Sequence, residues 1–314
     1  MLTDFPSKLL AAKSRIISHF ESLPYKVHED GTLWEILVKK QQAWHLSKRI
    51  GFQEFLEFLL RETQLEAATF KFGKTYRPIT RYMWGKVNPY AMVQTFKPSS
   101  YFTHHSALFL HGLTQINPTN IYLNFEQKLP STSNGGLDQI AIDRAFRNKP
   151  RVTNYVTQHG DQSIYVLNGR RTDHLGVIQQ TTHLGNLRFT DLERTLIDCV
   201  VRPVYSGGAE VVANAFRLAR DKMDAAKLIS MLRKLKYTYP YHQSIGFYMQ
   251  LADYPQTTIE PLLRMPIEFK FYLENAMHSS VYIKKWKLHV PKVLANDGLK
   301  KIPRPSSPLR AAPG

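Results

Sequence analysis

The chain of 314 residues has a single cysteine, Cys199. One thiol excludes a disulfide framework and any multi-cysteine zinc module, and it fits a reducing compartment. No run approaches the roughly 18 consecutive apolar residues of a membrane-crossing helix. The first ten residues, MLTDFPSKLL, lack the basic-then-apolar plan of a signal peptide. A soluble, cytoplasmic protein without membrane contact is therefore expected. Acidic residues are scarce as well: 25 Asp and Glu stand against 42 Lys and Arg, a formal net charge of +17. That balance favours a polyanionic partner, most often nucleic acid. Apolar residues make up 43% of the chain, enough for real cores, and the length suggests about two domains.

The basic surplus is unevenly placed. Residues 67–125 contain no acid, and Lys71, Lys74, Arg77, Arg81, Lys86 and Lys97 lie within them. Such a stretch is a candidate footprint for phosphate contact, and otherwise a solvated basic surface. Residues 281–314 hold eight Lys or Arg against one acid, Asp297. From residue 296 onward, Pro303, Pro305, Pro308 and Pro313 with Ser and Gly predict a disordered basic tail.

Periodicity organises the rest. Leu9, Ala12, Ile16 and Phe20 predict a helix that Pro24 ends. Residues 1–31 read as this helix and a linker. Thr32 and Glu35 form a capping box opening a second helix to about residue 41. A short segment over 43–49 precedes a third helix with the stripe Phe52, Phe55, Leu56, Leu59 and Leu60. Alternation over 65–72, a turn at Gly73-Lys74 and the aromatic-rich run 76–84 then predict a β-hairpin. This order, over residues 32–99, is that of a winged helix-turn-helix. Lys48, Arg49 and Gln53 would sit at its recognition helix, with Lys71, Lys74, Arg77 and Arg81 on the wing. Glu54, Glu57 and Glu62 lie on the same helix and oppose deep entry into a groove, which leaves phosphate affinity mainly to the hairpin. Beyond it, a larger mixed, mostly helical domain is expected over 100–295. It would hold a helix at 101–113, a strand at 120–125, a loop at 130–136, a short helix or irregular stretch at 138–147, strands at 163–167 and 177–180, and helices at 190–201, 209–220, 225–235 and 242–251. The fold class is α+β.

Several residue groups invite a chemical reading. His104, His105 and His111 share one predicted helix, with Thr103 as its cap. His104 and His111 stand two turns apart, about 10 Å, too far to ligate one ion, so structural or hydrogen-bonding roles are expected. Asp191, Glu193 and Asp198 suggest a metal-dependent nuclease. Yet Thr190 and Glu193 fit a second capping box, and Arg194 pairs with Asp198 one turn on. Ser206-Gly207-Gly208 reads as a tight turn rather than an anion site, for it lacks the Lys of a phosphate loop. Cys199 reads as a buried, inert thiol. Tyr239, Tyr241 and His242, in an aromatic-rich stretch, suit core packing, a protein interface or base stacking, in that order.

Five blocks read together resemble the AbiEi family of bacterial antitoxins from abortive-infection toxin–antitoxin systems. They are YFTHHSALFLHGLT (101–114), TNIYLN (119–124), TDLERTLID (190–198), RPVYSGG (202–208) and YPYHQSIGFY (239–248). The resemblance spans residues 33–294; the first helix and the tail fall outside it. It implies an N-terminal winged helix-turn-helix that represses its operon's promoter, and a C-terminal domain that counteracts a nucleotidyltransferase-like toxin. It further implies no catalysis, no cofactor and no metal. Two other classes stay open: a regulator or adaptor in a phage-defence locus without a dedicated toxin, and a metal-dependent nuclease.

Overall fold

The computed structural model describes residues 7–114, 118–129 and 136–295. The expected tail from residue 296, and most of the loop expected at 130–136, lie outside these residues. The architecture is mixed α+β, and among the described residues no helix is long and apolar enough to cross a membrane.

The chain opens with α1 (Ser7–Ser22), β1 (Val27–His28), α2 (Asp30–Lys40), α3 (Phe52–Glu62), β2 (Leu65–Phe70) and β3 (Ile79–Trp84). The three strands form an antiparallel sheet in the order β1-β3-β2. The stripe Leu9, Ala12, Ile16 and Phe20 is fully buried and shares one core with Leu33 and Leu37 of α2 and Phe55, Phe58 and Leu59 of α3. Phe20 stacks on Trp84 at 4.6 Å, which ties the first helix to the last strand of the unit. Burying one such phenyl ring contributes roughly 1.5–3 kcal/mol. The first helix is therefore built into this unit, not set apart with a linker over 1–31. The Thr32 cap is also corrected: α2 begins three residues earlier, with Glu29 at the cap position, and Tyr82 Oη donates to Asp30 Oδ1 at 2.8 Å, holding that first turn against β3.

The next elements are α4 (Pro89–Val93), β4 (Tyr101–Phe102), α5 (His104–Leu110), β5 (Asn120–Glu126), α6 (Gln139–Arg147), β6 (Val156–His159), β7 (Gln162–Gly169), β8 (Val177–Thr182) and β9 (Gly185–Thr190). Six of the strands make one mixed sheet in the order β6-β7-β5-β4-β9-β8. The helix expected over 101–113 is thus shorter, His104–Leu110, with the first two expected residues in a strand. Tyr101 and Phe102 pair with Asn124 and Leu123, and Phe102 also with Phe189, so both faces of this short strand are buried and carry no alternation to read. Apolar contacts cross the boundary expected at residue 99. Phe70, Phe72 and Phe96 pack in one cluster with Phe102, Tyr155 and Phe189.

The last third contains α7 (Leu192–Val201), α8 (Ala209–Ala219), α9 (Ala225–Leu235), α10 (Tyr241–Leu251), α11 (Gln256–Leu263), β10 (Phe271–Tyr272), β11 (Ser280–Ile283), β12 (Leu288–Pro291) and α12 (Lys292–Ala295). A small sheet in the order β10-β12-β11 closes over the helices. Gly246 is required in α10, because a Cβ there would collide with the buried Trp286 indole.

Candidate functional site

On the N-terminal unit, the turn before α3 displays Lys48 and Arg49, and Gln53 is exposed on α3 itself. The acids of that helix are largely neutralised in place: Glu62 takes Lys13 Nζ at 2.9 Å and Glu57 takes Arg61 at 3.4 Å. Lys71, Lys74 and Arg77 are exposed on the loop between β2 and β3. Arg81, expected beside them, is not available for phosphate. It is only 8% exposed, and its guanidinium donates to Thr95 Oγ1 at 2.8 Å, the Thr95 carbonyl at 2.6 Å and the Thr80 carbonyl at 2.8 Å. The loop is itself clamped from behind. Tyr76 stacks on Tyr155 at 3.9 Å and donates to Asn154 Oδ1 at 2.9 Å, and Phe72 meets the same Tyr155 ring edge-on at 4.3 Å.

A second concentration of polar groups surrounds α7. Eight of its ten residues are buried, including Glu193, Arg194, Thr195 and Asp198. Arg194 Nε donates to Asp198 Oδ1 at 2.7 Å, and its Nη1 donates to the Leu175 carbonyl at 2.7 Å. Thr103 Oγ1 donates to the other oxygen of Asp198 at 2.9 Å. Burial opposes the Arg194 charge, but the adjacent Asp198 outweighs it and holds the guanidinium protonated beyond its ordinary range. The capping box expected from Thr190 and Glu193 is corrected. Thr190 closes β9 and its hydroxyl meets that of Thr195 at 2.8 Å. Asp191 is the cap, accepting from the Arg194 N–H at 2.8 Å. Glu193 reaches forward, accepting from the Asp224 N–H at 2.9 Å and from Lys227 Nζ at 2.6 Å. Lys227 Nζ also reaches Asp191 Oδ2 at 3.0 Å, so all three carboxylates are partnered. Among the described residues, no three His, Cys, Asp or Glu side chains converge on a possible metal position.

The histidines separate in space. His111 Nε2 donates to the Thr190 carbonyl at 2.8 Å, and His105 is half-buried. His104 is 8% exposed, and its Nδ1 has no hydrogen-bond partner. Burial pushes its imidazole down to about 4, which leaves it neutral at pH 7. Its backbone adopts φ 52°, a left-handed conformation seldom taken by a residue other than glycine. Thr103 precedes α5 as expected, but its hydroxyl serves Asp198 and makes no cap bond.

Tyr239, Tyr241 and His242 line the helix junction. Both tyrosines pack against Phe271, and Tyr239 against Phe146, so their rings belong to the core around α10. Gly207 and Gly208 make the tight turn at φ 89° and 90°, and Glu274 Oε2 accepts the Ala209 N–H at 3.2 Å where an anion would otherwise sit. Cys199 is fully buried, and burial raises its thiol well above the ordinary range.

The structure also assembles a cavity of about 370 Å³ against α7. His104, Arg194 and Asp198 line it together with Asn124, Arg151, Arg170, Arg202 and Tyr205. Sequence reasoning missed Asn124, the three arginines outside α7 and Tyr205. They come from separate parts of the chain, and no local spacing connects them. Glu126 beside it was missed for the same reason. Burial works against its charge, but hydrogen bonds from the Thr172 hydroxyl and N–H prevail and hold it below the usual carboxylate range.

No family model matches the chain, and no curated protein matches it. Among solved structures it is similar to the crystal structure of the RV2827C protein from Mycobacterium tuberculosis. The TM-score is 0.58 at 13% identity, over 91% of this chain and 92% of that one. The likeness is one of fold.

Proposed function

We propose that the chain is a DNA-binding transcriptional autorepressor and antitoxin of a toxin–antitoxin operon, acting without catalysis. The N-terminal unit supports the first half. Its order of helix, strand, two helices and two strands, with the sheet order β1-β3-β2, supports reading it as a winged helix-turn-helix. One observation carries the reading. Lys48, Arg49, Lys71, Lys74 and Arg77, at the start of α3 and on the wing loop, are all exposed, and none takes part in an ion pair among the described residues. Free cations of this kind supply phosphate affinity by releasing counterions from DNA. The antitoxin half rests on the sequence resemblance, which points to a nucleotidyltransferase-like toxin as partner.

The test is a gel-shift titration of the full chain on its own promoter region at several salt concentrations. Replacing Lys71, Lys74 and Arg77 with Ala should weaken binding to all sequences and lower the salt slope by about one per lost phosphate contact. Unchanged affinity and slope would refute the DNA-binding half. Co-expression with each flanking gene tests the other half: growth rescue from an adjacent nucleotidyltransferase-like product is expected, and the absence of any rescue refutes it.

A further inference from the structure

The cavity against α7 is lined by none of Lys48, Arg49, Lys71, Lys74 and Arg77, and the proposed function makes no use of it. Its volume of about 370 Å³ falls within the range of small-ligand sites. Its lining holds four arginines and one carboxylate, Asp198, which Arg194 and Thr103 already occupy. The remaining arginines, Arg151, Arg170 and Arg202, are exposed. Arg170 gives one N–H to the Lys236 carbonyl at 3.2 Å, and Arg202 gives one to the Arg151 carbonyl at 3.2 Å. A guanidinium has five N–H donors in a planar fork, so most of their capacity remains for a ligand. Behind them stands His104, more than nine-tenths buried, with an unpartnered Nδ1 and a strained backbone. A buried polar atom without a partner is costly, and strain of this kind concentrates at ligand sites.

The adjoining surfaces suit an organic group. The His104 imidazole meets the Tyr205 ring edge-on at 5.5 Å, and Tyr205 in turn packs on Tyr122. The Asn124 carboxamide lies against Gly169, where a Cβ would come within 2.5 Å of Asn124 Oδ1, so a larger residue there would displace it. Asn124 and Asn168 bring carboxamides into the same lining.

We propose that this cavity binds a phosphate monoester of nucleotide size, with Arg151, Arg170 and Arg202 clamping the phosphate and His104 and Asn124 meeting the organic part. Bidentate, charge-assisted hydrogen bonds make arginine the residue suited to that task. The phosphate has two possible sources, a free nucleotide or the 5′ end of a nucleic-acid strand.

Isothermal titration of the full chain decides between them. The probes are AMP and a short single-stranded oligonucleotide, prepared with a 5′-phosphate and with a 5′-hydroxyl. Saturable AMP binding identifies a nucleotide site. Oligonucleotide binding that requires the 5′-phosphate, with AMP inert, identifies a strand-end site. In either case Arg151→Gln/Arg202→Gln should weaken binding about tenfold or more. Both residues are exposed, so melting should match the parent. The control Lys222→Gln/Lys284→Gln removes the same charge elsewhere on the exposed surface and should leave binding unchanged. The proposal is overturned if neither AMP nor a 5′-phosphate-dependent interaction is seen up to about 1 mM. It is equally overturned if the control variant loses as much binding as the arginine variant. Promoter binding is tested separately, by replacing Lys71, Lys74 and Arg77, none of which lines this cavity.

Discussion

Around Phe20 and Trp84 the N-terminal core is a cluster of apolar side chains, and His28 is the polar residue pressed into it. Around α7 the packing is the reverse in kind. Glu193, Arg194, Thr195 and Asp198 are buried beside Leu196 and Ile197, and every charge among them has a partner. Apolar burial is non-directional and tolerates small changes of shape. A buried ionic network is directional, and the loss of one member leaves another charge stranded in a poor solvent. The N-terminal unit is therefore suited to forming a stable platform, whereas the α7 region is suited to holding fixed polar groups at a cavity wall.

The sharpest way to break this contrast is Arg194→Met. Stranding Asp198 should cost about 3–5 kcal/mol, whereas Arg194→Met/Asp198→Leu should recover most of that loss. In the apolar core, Ile16→Val should cost only about 0.5–1.5 kcal/mol. Urea denaturation of the variants measures all three. A double variant no more stable than the single would show that the pair is not the source of the cost.

A second test concerns pH. His28 is 2% exposed, both its ring nitrogens lack partners, and burial first, then the Lys26 charge, pushes it down to about 4. The unfolded chain takes up this proton near pH 6.5, and the folded one only near pH 4. Stability is therefore full above about pH 6.5 and falls as the pH drops through this window, by about 1.4 kcal/mol per pH unit at most. His28→Phe removes the titrating group and keeps the edge-on contact with Phe20. Its stability loss between pH 7.5 and pH 5 should be smaller than the parent's by roughly 1–2 kcal/mol. Parallel pH profiles for the two proteins would contradict this account.

The smallest effect separates the two candidate caps of α7. Asp191→Ala should cost about 0.5–2 kcal/mol, since it removes the acceptor for the Arg194 N–H. Thr190→Ser keeps the hydroxyl that meets Thr195 and should lie within about 0.5 kcal/mol of the parent. Thermal melts that reverse this order would restore Thr190 as the cap.

Which parts were legible follows from how far apart the deciding residues lie. The stripes of α1 and α3 could be read directly, because a helix repeats every 3.6 residues and its apolar face is written into a single segment. α9 matched its expected bounds, Ala225–Leu235, for the same reason. The Arg194–Asp198 pair was legible as neighbours one turn apart, but its burial was not, since that depends on β9, Leu175 and Thr103 arriving from elsewhere. The strand Tyr101–Phe102 was hidden inside a helical-looking run, because two residues carry no period. Thr190 and Asp191 are both competent caps. Local sequence alone could not choose between them, and the choice fell to Asp191 once the ladder with β8 had claimed Thr190 as strand.

Composition and local period were enough for the charge surplus, the helical stripes and the hairpin at residues 65–84, for all of these depend on composition or on residues near one another in the chain. Contacts in the folded molecule settled that α1 completes the N-terminal core, that Arg81 turns inward to Thr95 while Lys71, Lys74 and Arg77 stay exposed, and that Tyr155 clamps the loop between β2 and β3. They also gathered His104, Asn124, Arg151, Arg170, Arg194 and Arg202 around one cavity. The physical reason is the same in each case: these outcomes rest on contacts between distant segments, whose partners no local period or spacing can specify.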